Sequence, residues 1–280
     1  MSNKKWATVT GSSSGFGLLC VLELAKNGFN VIATMRDVSK SAKLLEQCHA
    51  QNISDSIHLH PLDVTSEQSI IDFKNFLSDF NSIEVLVNNA GYALAGFSEE
   101  IPIDDFRLQF ETNVFGVISV TQVVLPFMRA QGKGRIINMS SISGKIGFPG
   151  LSPYVASKHA LEGFSESLRL ELKPFGIDVS LVEPGSYQTN IWASVETLGL
   201  NPNSPYHDYM SALLSEIEVG KAEHGNPLEV AKLVAQIATQ TKTPKLRYPV
   251  GQGVKKSLFL KNFLPWKLIE KTVLKKLMIK

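Results

Sequence analysis

Tyr154 and Lys158 stand four residues apart in the run Tyr154-Val155-Ala156-Ser157-Lys158. On a helix that spacing puts a phenol and an ammonium on one face, a turn apart. A free tyrosine titrates near pH 10, roughly three units too high for a proton shuttle at neutrality. A nearby ammonium favours the phenolate and lowers that value. A drop of about two to three units takes roughly 3–4 kcal/mol of differential stabilisation, within reach of an adjacent lysine plus a cationic cofactor ring. Such a tyrosine can hand a proton to a carbonyl oxygen or take one back from an alcohol. The pair alone is a weak signal, because a buried tyrosine with a surface lysine one turn on is spelled the same way. Its company strengthens it. Ser140-Ser141, Asn88-Asn89-Ala90-Gly91 and Glu183-Pro184-Gly185 each close a short apolar run.

A second constellation is Thr10-Gly11-Ser12-Ser13-Ser14-Gly15-Phe16-Gly17. Its glycines permit positive φ and close approach of backbone to a ligand. A helix starting there would offer free N–H groups and its positive dipole end to a pyrophosphate. The spacing is GxxxGxG, not the GxGxxG of the dinucleotide fingerprint. A plain Gly/Ser-rich turn has the same composition, but the position after the first strand favours the phosphate reading. About twenty residues on comes Met35-Arg36-Asp37. An acid at this strand end would hold a ribose 2′-OH, and an arginine would accommodate a 2′-phosphate. Arg36 favours NADP over NAD, with Asp37 next door as the competing choice.

These groups need a sheet to position them. Apolar β-rich runs are expected as strands at 6–10, 31–34, 57–62, 85–87, 135–139 and 179–182. Between them lie helical periods. Leu18, Val21, Leu22 and Ala25 mark one helix face, closed by Gly28. Thr65-Ser66-Glu67-Gln68 has capping-box spacing, a long helix is expected over about 104–131, and Ser152-Pro153 suits another helix start. Its apolar stripe is Leu161, Phe164, Leu168 and Leu172. This alternation predicts an α/β fold: one doubly wound parallel sheet, Rossmann-like, with helices on both faces. In such sheets ligands sit at the carboxyl edge, where the motifs fall. The pattern loosens over about 187–226, around a short helical candidate at 206–217. Its aromatics Tyr187, Trp192, Tyr206 and Tyr209 suggest a substrate lid, against an ordinary surface excursion.

Composition bounds the answer. The chain has 280 residues, is 44% hydrophobic and 19% charged, and carries a net charge of +2. That suits one large domain, and the balance gives no reason to expect a nucleic-acid partner. Two cysteines, Cys20 and Cys48, form no CxxC and no disulfide framework. Residues 1–5 lack the apolar core of a signal peptide, and no uninterrupted apolar stretch of about 18 residues is present. The expectation is a cytoplasmic protein.

Taken together, the motifs closely resemble the short-chain dehydrogenase/reductase family in its single-domain branch, from Trp6 to about Gly251. The matching pieces are residues 10–17, Leu62-Asp63-Val64, residues 88–91, Asn113, Ser140-Ser141, residues 154–158 and Pro184-Gly185 followed by Thr189. The resemblance implies a homo-oligomeric, nicotinamide-dependent oxidoreductase acting on a small-molecule carbonyl or alcohol. Tyr154 would be the acid/base, Lys158 would tune it and hold the nicotinamide ribose, and Ser141 (Ser140 less so) would orient the substrate oxygen. Asn113 would hold a proton-relaying water. Gly11, Ser12, Ser13, Ser14, Gly15, Phe16 and Gly17 would cradle the pyrophosphate. Asp63 and Val64 would meet the adenine, Asn89, Ala90 and Gly91 the adenosine ribose region, and Pro184, Gly185 and Thr189 the nicotinamide end. Members with a basic residue after the second strand tend to use NADP, which agrees with Arg36. Phe16 departs from the usual isoleucine. The likeness is strongest to 17β-hydroxysteroid and retinol dehydrogenase-like members, which implies a lipophilic substrate, with Phe148, Tyr187 and Trp192 as pocket-wall or core candidates. A catalytically silent cofactor sensor or scaffold on the same fold is the competing class. A two-domain sugar epimerase is disfavoured by length and glycine spacing.

The catalytic domain is expected over 1–254. Residues 255–280 carry eight lysines against one acid, Glu270, so the tail is +7 and the rest of the chain −5. Leu268, Ile269, Val273, Leu274, Leu277 and Met278 follow a helical period. The tail reads either as a basic amphipathic helix making peripheral membrane contact or as a helix that packs its apolar face on the domain or covers the substrate pocket, with its lysines solvated.

Overall fold

The computed structural model describes residues 5–189, 201–220 and 224–277. Seven strands form one sheet: β1 (Lys5–Val9), β2 (Phe29–Met35), β3 (Ile57–Pro61), β4 (Val85–Asn88), β5 (Gly134–Met139), β6 (Ile177–Pro184) and β7 (Arg247–Val250). Every pair is parallel, and the order is β3-β2-β1-β4-β5-β6-β7. The chain winds outward from β1 to β3, then crosses back to lay β4 on the other side of β1. That reversal opens a crevice at the carboxyl ends of β1 and β4.

The helices are α1 (Gly15–Lys26), α2 (Ala42–Ala50), α3 (Glu67–Leu77), α4 (Ile103–Phe110), α5 (Gly116–Ala130), α6 (Ser152–Leu172), α7 (His207–Gly220), α8 (Pro227–Thr239), α9 (Val254–Phe263) and α10 (Trp266–Lys276). Strand periodicity decides which face each covers. Val31, Ala33, Val85, Val87 and Ile137 point into a core shared with α1, α2 and α8. Their neighbours Ile32, Leu86 and Ile136 point into a second core with α3, α5 and α6. Burying one such aliphatic side chain is worth about 1.5–3 kcal/mol. A doubly buried four-residue strand such as β4 therefore holds although it is short.

Three local expectations shift. The capping residue of α3 is Ser66, whose hydroxyl accepts from the Ser69 N–H at 3.3 Å. Thr65 is already engaged, its hydroxyl donating to Asp63 at 2.7 Å. The long helix is interrupted by a wide π turn at Glu111–Phe115. The seventh strand escaped the periodicity reading because it has only four residues and contains Pro249. Proline is tolerated there because β7 is an edge strand.

Cys20 and Cys48 are both free and buried. Among the described residues one helical stretch, Ile103–Ala130, is long and apolar enough to span a bilayer. Val120, Val124 and Met128 commit its face to the domain core. The helix expected after Pro265 is α10, and a second helix, α9, precedes it in the basic tail.

Candidate active site

The glycine-rich turn leaves β1 and enters α1, with Ser12 N–H bonded to the Thr34 carbonyl at 2.9 Å. Ser12 is buried with its hydroxyl turned inward onto the Val9 carbonyl at 2.9 Å, while Ser13 and Ser14 stay partly exposed. Ser14 caps α1 without a side-chain hydrogen bond, leaving the first-turn N–H groups for an anion. Gly11 adopts φ +68° and packs against Ala90; a Cβ at Gly17 would lie 2.2 Å from the Gly11 carbonyl oxygen. Backbone is therefore as close as it can come.

The end of β4 is latched to this turn. Asn89 and Ala90 N–H groups both donate to the Thr10 hydroxyl at 2.9 Å. The Asn89 side chain donates to the Thr10 and Gly11 carbonyls at 2.9 and 3.1 Å. Thr10 is thus a site-building residue, a role the motif alone did not assign to it. Asp63 is spent on its own turn, accepting from Thr65 N–H at 3.0 Å. Val64 packs where a Cβ at Gly116 would go, 2.7 Å away.

Ser152-Pro153 opens α6, with proline in the first turn. One face of that helix carries Tyr154, Lys158 and Glu162, all buried. The Lys158 ammonium donates to the Met139 carbonyl at 2.7 Å and lies 5.6 Å from the centre of the Tyr154 ring. Burial pushes the Tyr154 phenol up to about 12, with a hydrogen bond from Ser141 pulling the other way. Burial likewise pushes Lys158 down to about 8, opposed by Glu162. The lowering expected from the lysine does not outweigh desolvation in the protein alone, because burial penalises the charged form of both groups. At neutral pH the phenol is a protonated donor. The oxidative direction needs further positive charge beside it.

Asn113 sits in the π turn and is buried. Its amide donates to the Tyr92 carbonyl at 3.0 Å and the Ser157 hydroxyl at 3.1 Å, and its oxygen accepts from Tyr92 N–H at 3.2 Å. It ties the loop after β4 to α6 one residue from Lys158. π turns recur at functional sites because they re-aim a side chain.

The two serines after β5 divide. Ser141 lines the large cavity described below. Ser140 turns away and donates to Glu162 at 2.6 Å. Glu162 also holds the Arg247 guanidinium at 2.8 Å, Arg247 reaches Glu166 at 2.6 Å, and Glu183 lies 3.3 Å from Arg247. Glu162 could have been noticed as the next i+4 position after Lys158; Arg247 had no signal. Burial and then Glu162 push the Glu183 carboxyl up to about 7. The fold therefore prefers the protonated acid. That preference stabilises fully below the ordinary carboxylate range and is lost as pH rises through about 7. Glu183→Gln is expected to raise the melting temperature at pH 8, and the gain should shrink toward zero at pH 5. Melting curves of both proteins across that range check it. An equal shift at every pH would refute the titration.

A cavity of about 1060 Å³ opens beside Ser141, walled by Phe148, Leu151, Met210, Leu213, Leu214 and Ile217. Helix α7 forms one side. Tyr206 and Tyr209 pin its start by packing on Phe97, with ring centroids at 4.4 and 5.0 Å. Tyr187 is core rather than pocket wall. It is 1% exposed, edge-on to Phe16 at 5.6 Å, and its hydroxyl donates to Glu229 at 2.9 Å. The unusual Phe16 thus has a packing partner. Trp192 lies outside the described residues.

The site fits a dinucleotide on its own features. The Thr189 hydroxyl oxygen is buried with no hydrogen-bond partner, and its side chain lies 3.8 Å from where a Cβ at Gly15 would be. A buried unpaired hydroxyl costs about 1–3 kcal/mol unless something meets it. Pro184 closes β6, and the Gly185 N–H beyond it bonds the Val250 carbonyl at 3.0 Å. At the end of β2, Asp37 accepts from Ser39 N–H at 3.0 Å and Ser39 Oγ at 2.6 Å. Those bonds hold its carboxyl below the usual range. Arg36 is exposed beside it.

Comparison with known proteins agrees with this geometry. A family model described as short chain dehydrogenase matches residues 5–198. The uncharacterized oxidoreductase YusZ of Bacillus subtilis is 54% identical over 98% of this chain and 99% of its own. The 3-ketodihydrosphingosine reductase of Bacteroides thetaiotaomicron is 35% identical, covering 91% and 90%. Human retinol dehydrogenase 8 is 32% identical, covering 85% and 79%. Among solved structures, a short-chain dehydrogenase from Streptomyces avermitilis is 32% identical with a TM-score of 0.79, covering 99% and 98%. ElxO with NADP bound is 27% identical with a TM-score of 0.76, covering 90% and 99%.

Proposed function

The chain belongs to the short chain dehydrogenase family, and on that premise we propose an NADP(H)-preferring oxidoreductase of lipophilic carbonyls or alcohols. The observation that carries the chemistry is the buried Tyr154–Lys158 pair on one face of α6, with Ser141 beside it at the wall of an apolar cavity. When bound, the dinucleotide supplies or accepts the hydride. In reduction, Tyr154 donates its proton to the substrate oxygen, which Ser141 holds. Lys158 and the Asn113 bridge keep the phenol in place, and the Lys158 ammonium supports the phenolate as it forms. The apolar walls exclude water from the reacting carbon.

The lipophilic substrate is supported by those walls and by relatives named for sphingoid and retinoid substrates. A panel of ketones, aldehydes, retinoids and steroids, followed by loss of NADPH or NADH absorbance, tests it. Faster turnover of short polar carbonyls than of long apolar ones would overturn the reading.

NADP preference is supported by Arg36 and by the engagement of Asp37 with Ser39. A charge-assisted contact to a 2′-phosphate contributes about 1.5–3 kcal/mol, roughly 10- to 100-fold in affinity. Arg36→Ala is expected to raise the KM for NADPH by about that factor and to leave NADH within about twofold. Equal loss for both cofactors would place Arg36 away from the phosphate.

A further inference from the structure

Phe259, Leu260, Phe263, Leu264, Trp266 and Leu268 are each at least 39% exposed. They occupy one corner, the end of α9 and the start of α10. Isolated exposed apolar side chains are ordinary, but six in so short a stretch mark an interaction surface. The same two helices carry exposed lysines 255, 256, 267, 271 and 275, and Lys261 lies 5.1 Å from the centre of the Trp266 ring. The segment 255–280 is +7 on a chain that is otherwise −5.

We propose that the α9–α10 corner docks on the surface of an anionic lipid bilayer. Aromatic and aliphatic side chains enter the interfacial region while the surrounding lysines meet lipid phosphates. A second copy of this chain fits poorly, because a two-fold contact sets the patch against itself and brings like-charged lysines together. Among the described residues nothing covers the corner, and α10 is anchored by its other end. Leu277 is buried, and Lys276 pairs with Glu216 of α7 at 2.6 Å.

That anchor also locates the cavity. Lys276 and Glu216 both line it, and Trp266 is about 15 Å away along the helix axis. A docked corner would hold the cavity mouth roughly one helix length from the lipid. This last step rests on the lipophilic-substrate reading; the docking itself does not.

Flotation of the full chain with vesicles tests it. One vesicle is pure phosphatidylcholine, the other an equimolar mixture with phosphatidylglycerol, each at low and high salt. Wild-type protein is expected to float with the anionic vesicles, less so as salt rises. Each lysine near such a surface strengthens binding by about fivefold. The triple variant Lys267→Gln, Lys271→Gln, Lys275→Gln should therefore lose on the order of 100-fold. Phe263→Ser with Trp266→Ser should lose at least about tenfold while melting and NADPH oxidation stay unchanged, because both side chains are exposed. Failure of the wild type to bind at low salt, or unchanged binding by both variants, overturns the proposal. So does a dimer that the double serine variant dissociates without any lipid binding, which would assign the patch to a second copy. A protein that floats but turns over no panel compound refutes the substrate reading alone.

Discussion

Tyr154→Phe is expected to lower turnover by about 10³-fold, the middle of the range for losing a positioned proton donor, with NADPH affinity kept within about threefold. The substitution removes one oxygen and leaves the ring, which is 4% exposed and packed at the start of α6. The proton that must reach the substrate oxygen then has no carrier at that position. Lys158 is held by the Met139 carbonyl at 2.7 Å and cannot take over without leaving it. Burial already holds the phenol neutral at about 12, so losing the hydroxyl removes a polar group that burial penalises, and the melting temperature should not fall sharply. Single-turnover kinetics at saturating NADPH, with cofactor binding measured by titration, separate the two effects. Retained turnover would remove Tyr154 as the proton donor, and a wild type that binds NADPH but turns over no compound would support the catalytically silent reading of the fold. Turnover and cofactor affinity falling together would make Tyr154 a structural member of the site.

Most of the scaffold could be read from sequence because it follows from local rules. A run such as Val85-Leu86-Val87 leaves few choices besides a doubly buried strand, and glycines after a first strand ask for a turn that approaches a ligand. What escaped depends on groups far apart in the chain. The Thr10 hydroxyl is a bridge only because Asn89 and Ala90 come to it across the β1–β4 crevice. Glu162 matters because Arg247, on a strand too short to show a period, closes on it. In the protein alone the Tyr154 phenol is pushed up, for a similar reason. Spacing reveals the charge next door, but desolvation is set by everything that packs around both groups. Tyr187 illustrates the same limit. An aromatic beside an expected lid looks like a pocket wall until Phe16 and Glu229 enclose it.

The glycine turn gives the second large effect. Gly17→Ala is expected to weaken NADPH binding by at least about 100-fold, or about 2.7 kcal/mol. A Cβ there would lie 2.2 Å from the Gly11 carbonyl oxygen and 2.5 Å from the Asn89 amide nitrogen. Neither neighbour can yield cheaply. Gly11 is fixed in a left-handed conformation at φ +68°, and Asn89 is held by two carbonyls of the same turn. The clash must be relieved by moving the turn or its latch, and either motion spoils the backbone donors aimed at a pyrophosphate. Overpacking of this kind also costs about 1–3 kcal/mol of stability, so the variant needs a control. Gly163→Ala in α6 provides it, because a Cβ there meets nothing within 4 Å. That variant should melt no lower than wild type and bind NADPH normally, since alanine favours a helix by about 0.8–1.0 kcal/mol over glycine. If Gly17→Ala binds NADPH as wild type does, the crevice between β1 and β4 is not the dinucleotide site, and the roles proposed for Arg36 and Thr189 fall with it.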